Sequence, residues 1–151
     1  TRTAGPRGLP LVKPPYRRIT AIDLNSGEHV WQIPFGKGPT NHPDIVDLDL
    51  GPLGTSFNDV VAEGGILITK TLLISYLAAK DEIGPEETGS ILVAHDKATG
   101  ELIGEVNVAL RLHGPIMSYQ IQSKQYIAIA GGGRNNDAEL LSFALPGTTG
   151  D

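Results

Sequence analysis

No cysteine occurs among the 151 residues, which excludes a disulfide framework, a thiolate metal site and a cysteine nucleophile together. That absence suits an oxidising compartment without requiring one. Long apolar runs are missing too: the longest, 66–79, is broken by Lys70 and several hydroxyls and falls short of the roughly 20 apolar residues of a spanning helix. No transmembrane segment is expected in this chain. Positive charge is scarce, with 12 Lys and Arg against 17 Asp and Glu and a net charge of −5, which argues against a nucleic-acid binder. The chain starts at Thr1 without an initiator Met and without the basic, apolar, small-residue succession of a secretory leader. It is expected to be a processed product, an engineered segment or a piece of something longer. Finally, no segment repeats apolar residues at i, i+3, i+4 and i+7 between caps, so no helix is predicted.

Glycine and proline, by contrast, are plentiful. Nineteen Gly and 11 Pro make near a fifth of the chain against an average of about 12%, while the apolar content is ordinary for a globular protein. A turn-rich, all-β protein fits that balance. Residues 1–15 carry four Pro and two Gly with few apolar side chains, and are read as an extended arm lying on a partner surface. From residue 16 onward, short runs rich in Ile and Val alternate with Gly, Pro, Asn and Asp clusters, the pattern of strands and turns. Strands are predicted at 19–24, 29–33, 60–62, 66–69, 72–77, 91–95, 102–108, 116–121, 126–130 and 139–144.

An internal repeat organises these strands. Ala21, Asp23, Ser26, Gly27 and Glu28 match Ala94, Asp96, Thr99, Gly100 and Glu101 at a fixed offset of 73 residues. In each copy an alternating strand ends in Asp, a hydroxyl residue and Gly make the turn, and a second strand returns. Asp and Ser or Thr bond back to local amides, and Gly takes the positive φ of the reversal. Repeats of this kind at 19–36 and 91–109, with about four strands between matching points, describe blades of a β-propeller. The alternative is two unrelated hairpins sharing a common turn sequence.

The stretch from Arg18 to Gln32, the copy at 93–101 and the run from Gly114 to Gly133 resemble the C-terminal part of the quinoprotein alcohol and glucose dehydrogenases. The resemblance covers about 16–146 and implies about two blades of an eight-bladed propeller, with residues 114–145 as final inner strands. It implies pyrroloquinoline quinone (PQQ) and Ca²⁺ as cofactors, with the catalytic base and the metal ligands on blades outside this chain. Trp31 matches the family's blade-docking Trp. The second copy carries Ile103 and Gly104 there, so its docking is expected to be looser or differently packed. A pair of blades by itself would expose sheet faces and edges, so the remaining blades, from the same gene product or another chain, are expected partners.

Several side chains merit weighing as sites. His42, Asp44, Asp47 and Asp49 form the densest cluster of potential ligands, but the spacing lacks the loop Gly and bidentate Glu of a calcium loop, so a solvated loop is expected. Asp81, Glu82, Glu86 and Glu87 read as a solvated acidic loop. His29, His42, His95 and His113 show no zinc-ligand spacing, and no nucleophile elbow supports a hydrolase. The one chemically distinctive stretch is Gly131-Gly132-Gly133-Arg134-Asn135-Asn136. Gly permits close backbone approach to a flat ligand, and Arg pairs with a carboxylate or stacks on a ring. The resemblance implies that Gly132, Gly133 and Arg134 lie beside the PQQ cavity, with His113 at the start of an innermost strand; the alternative is a plain turn. Ser56 and Asn58 stand where the family often shows Gly-Gly-Pro or Trp-Gly-Gly, which leaves any role in gripping the quinone open.

The resemblance implies a periplasmic or otherwise extracytoplasmic dehydrogenase, membrane-associated through parts outside this chain, that oxidises an alcohol or sugar and passes electrons to a quinone or cytochrome. The segment alone is expected to be inactive. The rival reading is a non-catalytic propeller acting as a scaffold or assembly protein, since a fold does not fix a function.

Overall fold

The computed structural model describes residues 5–54, 65–78, 89–133 and 136–144. These residues form nine strands and two short 3₁₀ turns, and the chain divides into two compact units, Thr1–Val61 and Ala62–Asp151.

In the first unit, β1 (Arg18–Ile22) pairs antiparallel with β2 (His29–Pro34). Backbone bonds continue the pairing past the strand ends: Phe35 N–H donates to Arg17 O at 2.9 Å, and Tyr16 N–H to Leu53 O at 2.8 Å. Among the described residues of this unit, Phe35 and Leu53 are the buried apolar side chains. Residues 5–9 close a tight turn through the Gly5 N–H and the Leu9 carbonyl, 2.8 Å apart, and the carbonyl of Arg7 accepts from the His42 ring.

The second unit holds a four-stranded antiparallel sheet in the order β3 (Leu67–Ile68), β4 (Leu72–Ala78), β5 (Ser90–Asp96), β6 (Leu102–Val108). A three-stranded sheet follows, β7 (Leu112–Ile121), β8 (Lys124–Gly133) and β9 (Asn136–Ala144), again in sequence order. The two sheets share one core: Ile74, Tyr76, Leu92 and Val108 meet Leu112, Ile116 and Ile129. β5 is buried over Ser90, Ile91, Leu92 and Val93, and Ile91 and Val93 pack with Leu77 on the opposite face. A strand covered on both faces needs the near-continuous apolar run that 91–94 supplies.

The repeat is reproduced in its strand register and in the backbone and Asp bonds of its turn. Ile19 faces Ile33 and Leu92 faces Val106, the same pairs 73 residues apart, and each hairpin has its register shift after the matching alanine, Ala21 or Ala94. Asp23 Oδ1 accepts from the N–H groups of Asn25 and Ser26 at 2.7 and 3.1 Å; Asp96 Oδ1 accepts from Ala98 and Thr99 at 2.8 and 2.9 Å. Gly27 and Gly100 both take the left-handed conformation, with φ of 76° and 78°. A side chain at either glycine would strain that reversal. Trp31 faces Ala21 in the first copy, and Gly104 faces Ala94 in the second. A Cβ at Gly104 would meet nothing within 4 Å, so the second copy has open space at that position.

The paired N–H donors hold both turn carboxyls below the usual Asp range. A carboxyl whose pKa is lower folded than unfolded contributes stability above the unfolded pKa and loses it as pH falls through the folded one. Carbon-detected NMR titration of the full-length protein is therefore expected to place Asp23 and Asp96 at the acidic end of its Asp residues. Ordinary midpoints for both would contradict the turn geometry.

All predicted strands within the described residues are present; the one predicted at 60–62 lies outside them. The glycine run departs from expectation. Gly131, Gly132 and Gly133 were expected after the end of a strand at 130, but β8 continues through Gly133, with an irregular register between Gly131 and Gly133. Pairing to β7 and β9 overrides the weak strand preference of glycine.

Candidate functional site

The start of β7 and the end of β8 lie side by side, with Leu112 opposite Gly131 and His113 opposite Ala130. This pairing joins two of the four residues singled out in the sequence, His113 and Gly132. His113 Nε2 lies 2.9 Å from the carbonyl oxygen of Gly132. A carbonyl only accepts, so Nε2 carries the proton and the neutral ring keeps Nδ1 as an acceptor. Gly132 N–H in turn donates to Arg111 O at 2.9 Å. Gly132 has φ of 140°, and a Cβ there would stand 2.8 Å from the Asp137 carbonyl oxygen. Only glycine fits at this buried position, where the backbone of Asp137 and Ala138 packs directly against it. Gly133 follows directly in β8, while Arg134 and Asn135 lie outside the described residues.

Three buried groups fix this strand pair. Leu112 is fully buried, and its N–H donates to Ser90 Oγ at 3.0 Å, itself 1% exposed. Tyr76, on β4, donates its hydroxyl to the Gly114 carbonyl at 2.9 Å, and burial pushes the phenol pKa up, keeping it a donor. β7 then bulges over Gly114, Pro115 and Ile116 before regular pairing resumes at Met117. Ser90 and Tyr76 were not singled out in the sequence, because their roles depend on which sheet packs over which. Ser90→Ala is expected to cost about 1 to 3 kcal/mol by leaving the buried Leu112 N–H without its acceptor. Ser142→Ala, which loses only the exposed bond to Tyr119 Oη, is expected to cost under about 0.5 kcal/mol. Chemical denaturation of the full-length protein checks both, and equal effects would contradict the assignment.

The acidic loop is not assembled as a ligand set. His42 Nε2 donates to Arg7 O, and its Nδ1 accepts from the Asp44 N–H at 3.1 Å. With Nδ1 accepting, its 3.9 Å approach to Asp44 Oδ2 is no ion pair; Asp44 pairs with Arg7 at 3.4 Å. Asp47 lies in a 3₁₀ turn and Asp49 caps it. Among the described residues, no three His, Asp or Glu side chains gather where a cation could bind. The Ca²⁺ that the resemblance implies has no ligand set among them. Asp81, Glu82, Glu86, Glu87, Ser56 and Asn58 lie outside the described residues. His95 sits on β5 with a buried Nδ1 that has no partner among the described residues. Burial lowers its pKa, and Glu105 opposes that shift.

A four-stranded antiparallel meander, followed by the first strands of another and repeated at a fixed offset, defines a β-propeller protein. The family model for the PQQ-dependent glucose, ethanol and alcohol dehydrogenase β-propeller domain matches residues 1–127. The chain belongs to this family. It is 31% identical over 146 residues to the glycerol dehydrogenase large subunit of Gluconobacter thailandicus, covering 92% of this chain and 18% of that protein. Against the quinate/shikimate dehydrogenase (quinone) of Acinetobacter baylyi it is 27% identical, covering 91% of this chain and 16% of that protein. For quinoprotein glucose dehydrogenase A of Acinetobacter calcoaceticus the identity is 25%, covering 93% and 17%. The chain thus spans less than a fifth of the length of these relatives. No solved structure gives a significant match.

Proposed function

We propose that this chain supplies C-terminal blades of a PQQ-dependent dehydrogenase that oxidises an alcohol, polyol or sugar outside the cytoplasm and passes the electrons to a quinone or cytochrome. The observation that carries the reading is the family match over residues 1–127; within this chain the joined end of β7 and β8, where His113 is pinned to the Gly132 carbonyl, is the part we assign to the quinone. A flat aromatic tricarboxylate needs close backbone approach along its plane and donors or cations at its rim. We assign the first to the backbone at Gly133 and the second to the Arg134 guanidinium, while His113 holds the Gly132 carbonyl in place.

PQQ, when bound, supplies the two-electron acceptor for substrate oxidation. The residues of this chain bind and orient. Ser90 and Tyr76 hold β7 in register, so that His113 keeps its Nε2–H on the Gly132 carbonyl and presents Nδ1. The acidic base and the Ca²⁺ ligands belong to blades beyond this chain. The relatives' names, covering glycerol, glucose and quinate, favour a polyhydroxylated substrate.

Reconstitution of the full-length protein with PQQ and Ca²⁺, followed by dye-linked oxidation of glycerol, glucose, quinate and ethanol, tests this reading. Turnover of at least one substrate that requires added quinone is expected. Quinone-independent turnover, or none with quinone bound, would sink the reading and favour a scaffold.

A further inference from the structure

Among the described residues, two buried side-chain polar atoms meet no hydrogen-bond partner, Ser75 Oγ on β4 and His95 Nδ1 on β5. Native proteins rarely leave such groups unsatisfied, and each case calls for an explanation. The strand register brings the two together. Leu73 faces His95, Ser75 faces Val93 and Leu77 faces Ile91, and alternate side chains of a strand share one face of the sheet. Ser75 and His95 are therefore diagonal neighbours, with Cα atoms about 7 to 8 Å apart and Cβ atoms somewhat closer. The rest of that face is apolar, formed by Leu73, Leu77, Ile91 and Val93.

The chemistry of the missing partner is narrowly defined. Ser75 is 0% exposed, so whatever satisfies it is enclosed and small. A hydroxyl both donates and accepts, and a ring nitrogen does one or the other according to its tautomer, so the partner must offer both. A metal cation does not fit: it only draws lone pairs, and no three His, Asp or Glu side chains gather among the described residues. Glu105, opposite Val93 on β6, shares the face but is exposed, and an ionised carboxylate only accepts.

We propose that one enclosed water molecule bridges Ser75 Oγ and His95 Nδ1 and ties β4 to β5. A water about 2.8 Å from each atom spans up to about 5.6 Å, a reach that suits diagonal neighbours, and it donates or accepts to match either tautomer of the ring. Buried waters typically make about three hydrogen bonds to groups that would otherwise go unsatisfied, and the second lone pair of a strand carbonyl offers the third. The bridge lies on the face of β4 and β5 opposite Tyr76 and Ser90, the two side chains that hold β7. It stiffens, from behind, the strand pair on which the β7–β8 end rests, and it does so whether or not the protein binds a quinone.

A high-resolution crystal structure of the full-length protein tests this directly. One ordered oxygen peak within hydrogen-bond distance of both Ser75 Oγ and His95 Nδ1 is expected. No peak, a peak touching only one of them, or a hydroxyl bonded straight to the ring overturns the proposal. Hydrogen–deuterium exchange of the full-length protein reads the same bridge in solution. Ser75→Ala and His95→Leu each leave a buried polar group short of its bond, so the amides of β4 and β5 are expected to exchange about five- to a hundredfold faster in either variant. In the double variant neither side chain of the pair remains to be satisfied, and the acceleration is expected to fall well below the product of the two single effects. Effects that simply multiply, or unchanged rates in either single variant, overturn the bridge. The crystal reading on the unaltered protein does not depend on the variants folding.

Discussion

Thr1 to Asp151 expressed alone is expected to show no cooperative thermal transition, to bind hydrophobic dyes and to aggregate. Leu102, Ile103 and Val106 on β6 are exposed, as are Met117, Ile121 and Leu140 on the third sheet. In a propeller each blade buries its faces on its neighbours, and a repeat unit without neighbours leaves that surface in water. Fully burying one Leu, Ile or Met is worth about 1.5 to 3 kcal/mol, so leaving several of them open removes an amount comparable with the ~5 to 15 kcal/mol net stability of a whole domain. Differential scanning calorimetry of the isolated segment with light scattering decides the matter. A sharp two-state transition of a monomer would show that these faces need no further blades.

Arg134→Ala in the full-length protein is expected to weaken PQQ affinity by roughly ten- to a hundredfold. Arg134 follows Gly133, the last residue of β8, and precedes β9 in sequence. A guanidinium meeting a carboxylate of the quinone would make charge-assisted, fork-shaped bonds worth about 1.5 to 3 kcal/mol, and each 1.4 kcal/mol is a factor of ten. Arg134→Lys keeps the charge but not the fork, and is expected to fall between wild type and alanine. Fluorescence titration with the quinone reads affinity directly, and steady-state kinetics on several substrates reads any shift in preference. Unchanged affinity together with unchanged kinetics would remove Arg134 from the site.

The hairpin turns were legible in the sequence because every interaction that makes them is local. Asp23 and Asp96 bond to amides two and three residues on, so a five-residue match was enough to foresee two identical turns. The strands were legible because runs such as 72–77 and 91–95 are apolar and bounded by breakers. The extension of β8 through Gly131–Gly133 was not, since three glycines carry no strand signal and their conformation is set by partners on β7 and β9. The meeting of His113 with Gly132 was half legible: both residues were marked, but the bond between them depends on a register that no local pattern encodes. Ser90 and Tyr76 carried no signal, because each acts through tertiary packing on a backbone group 22 and 38 residues away.

Whether the full-length protein holds the quinone is decided by one measurement. Purified protein reconstituted with PQQ and Ca²⁺, desalted, denatured in acid and analysed by mass spectrometry with the absorbance of the released cofactor gives the stoichiometry. One PQQ per polypeptide is predicted, falling well below one when Arg134→Ala is desalted the same way. A folded full-length protein that retains no quinone under these conditions would contradict the account.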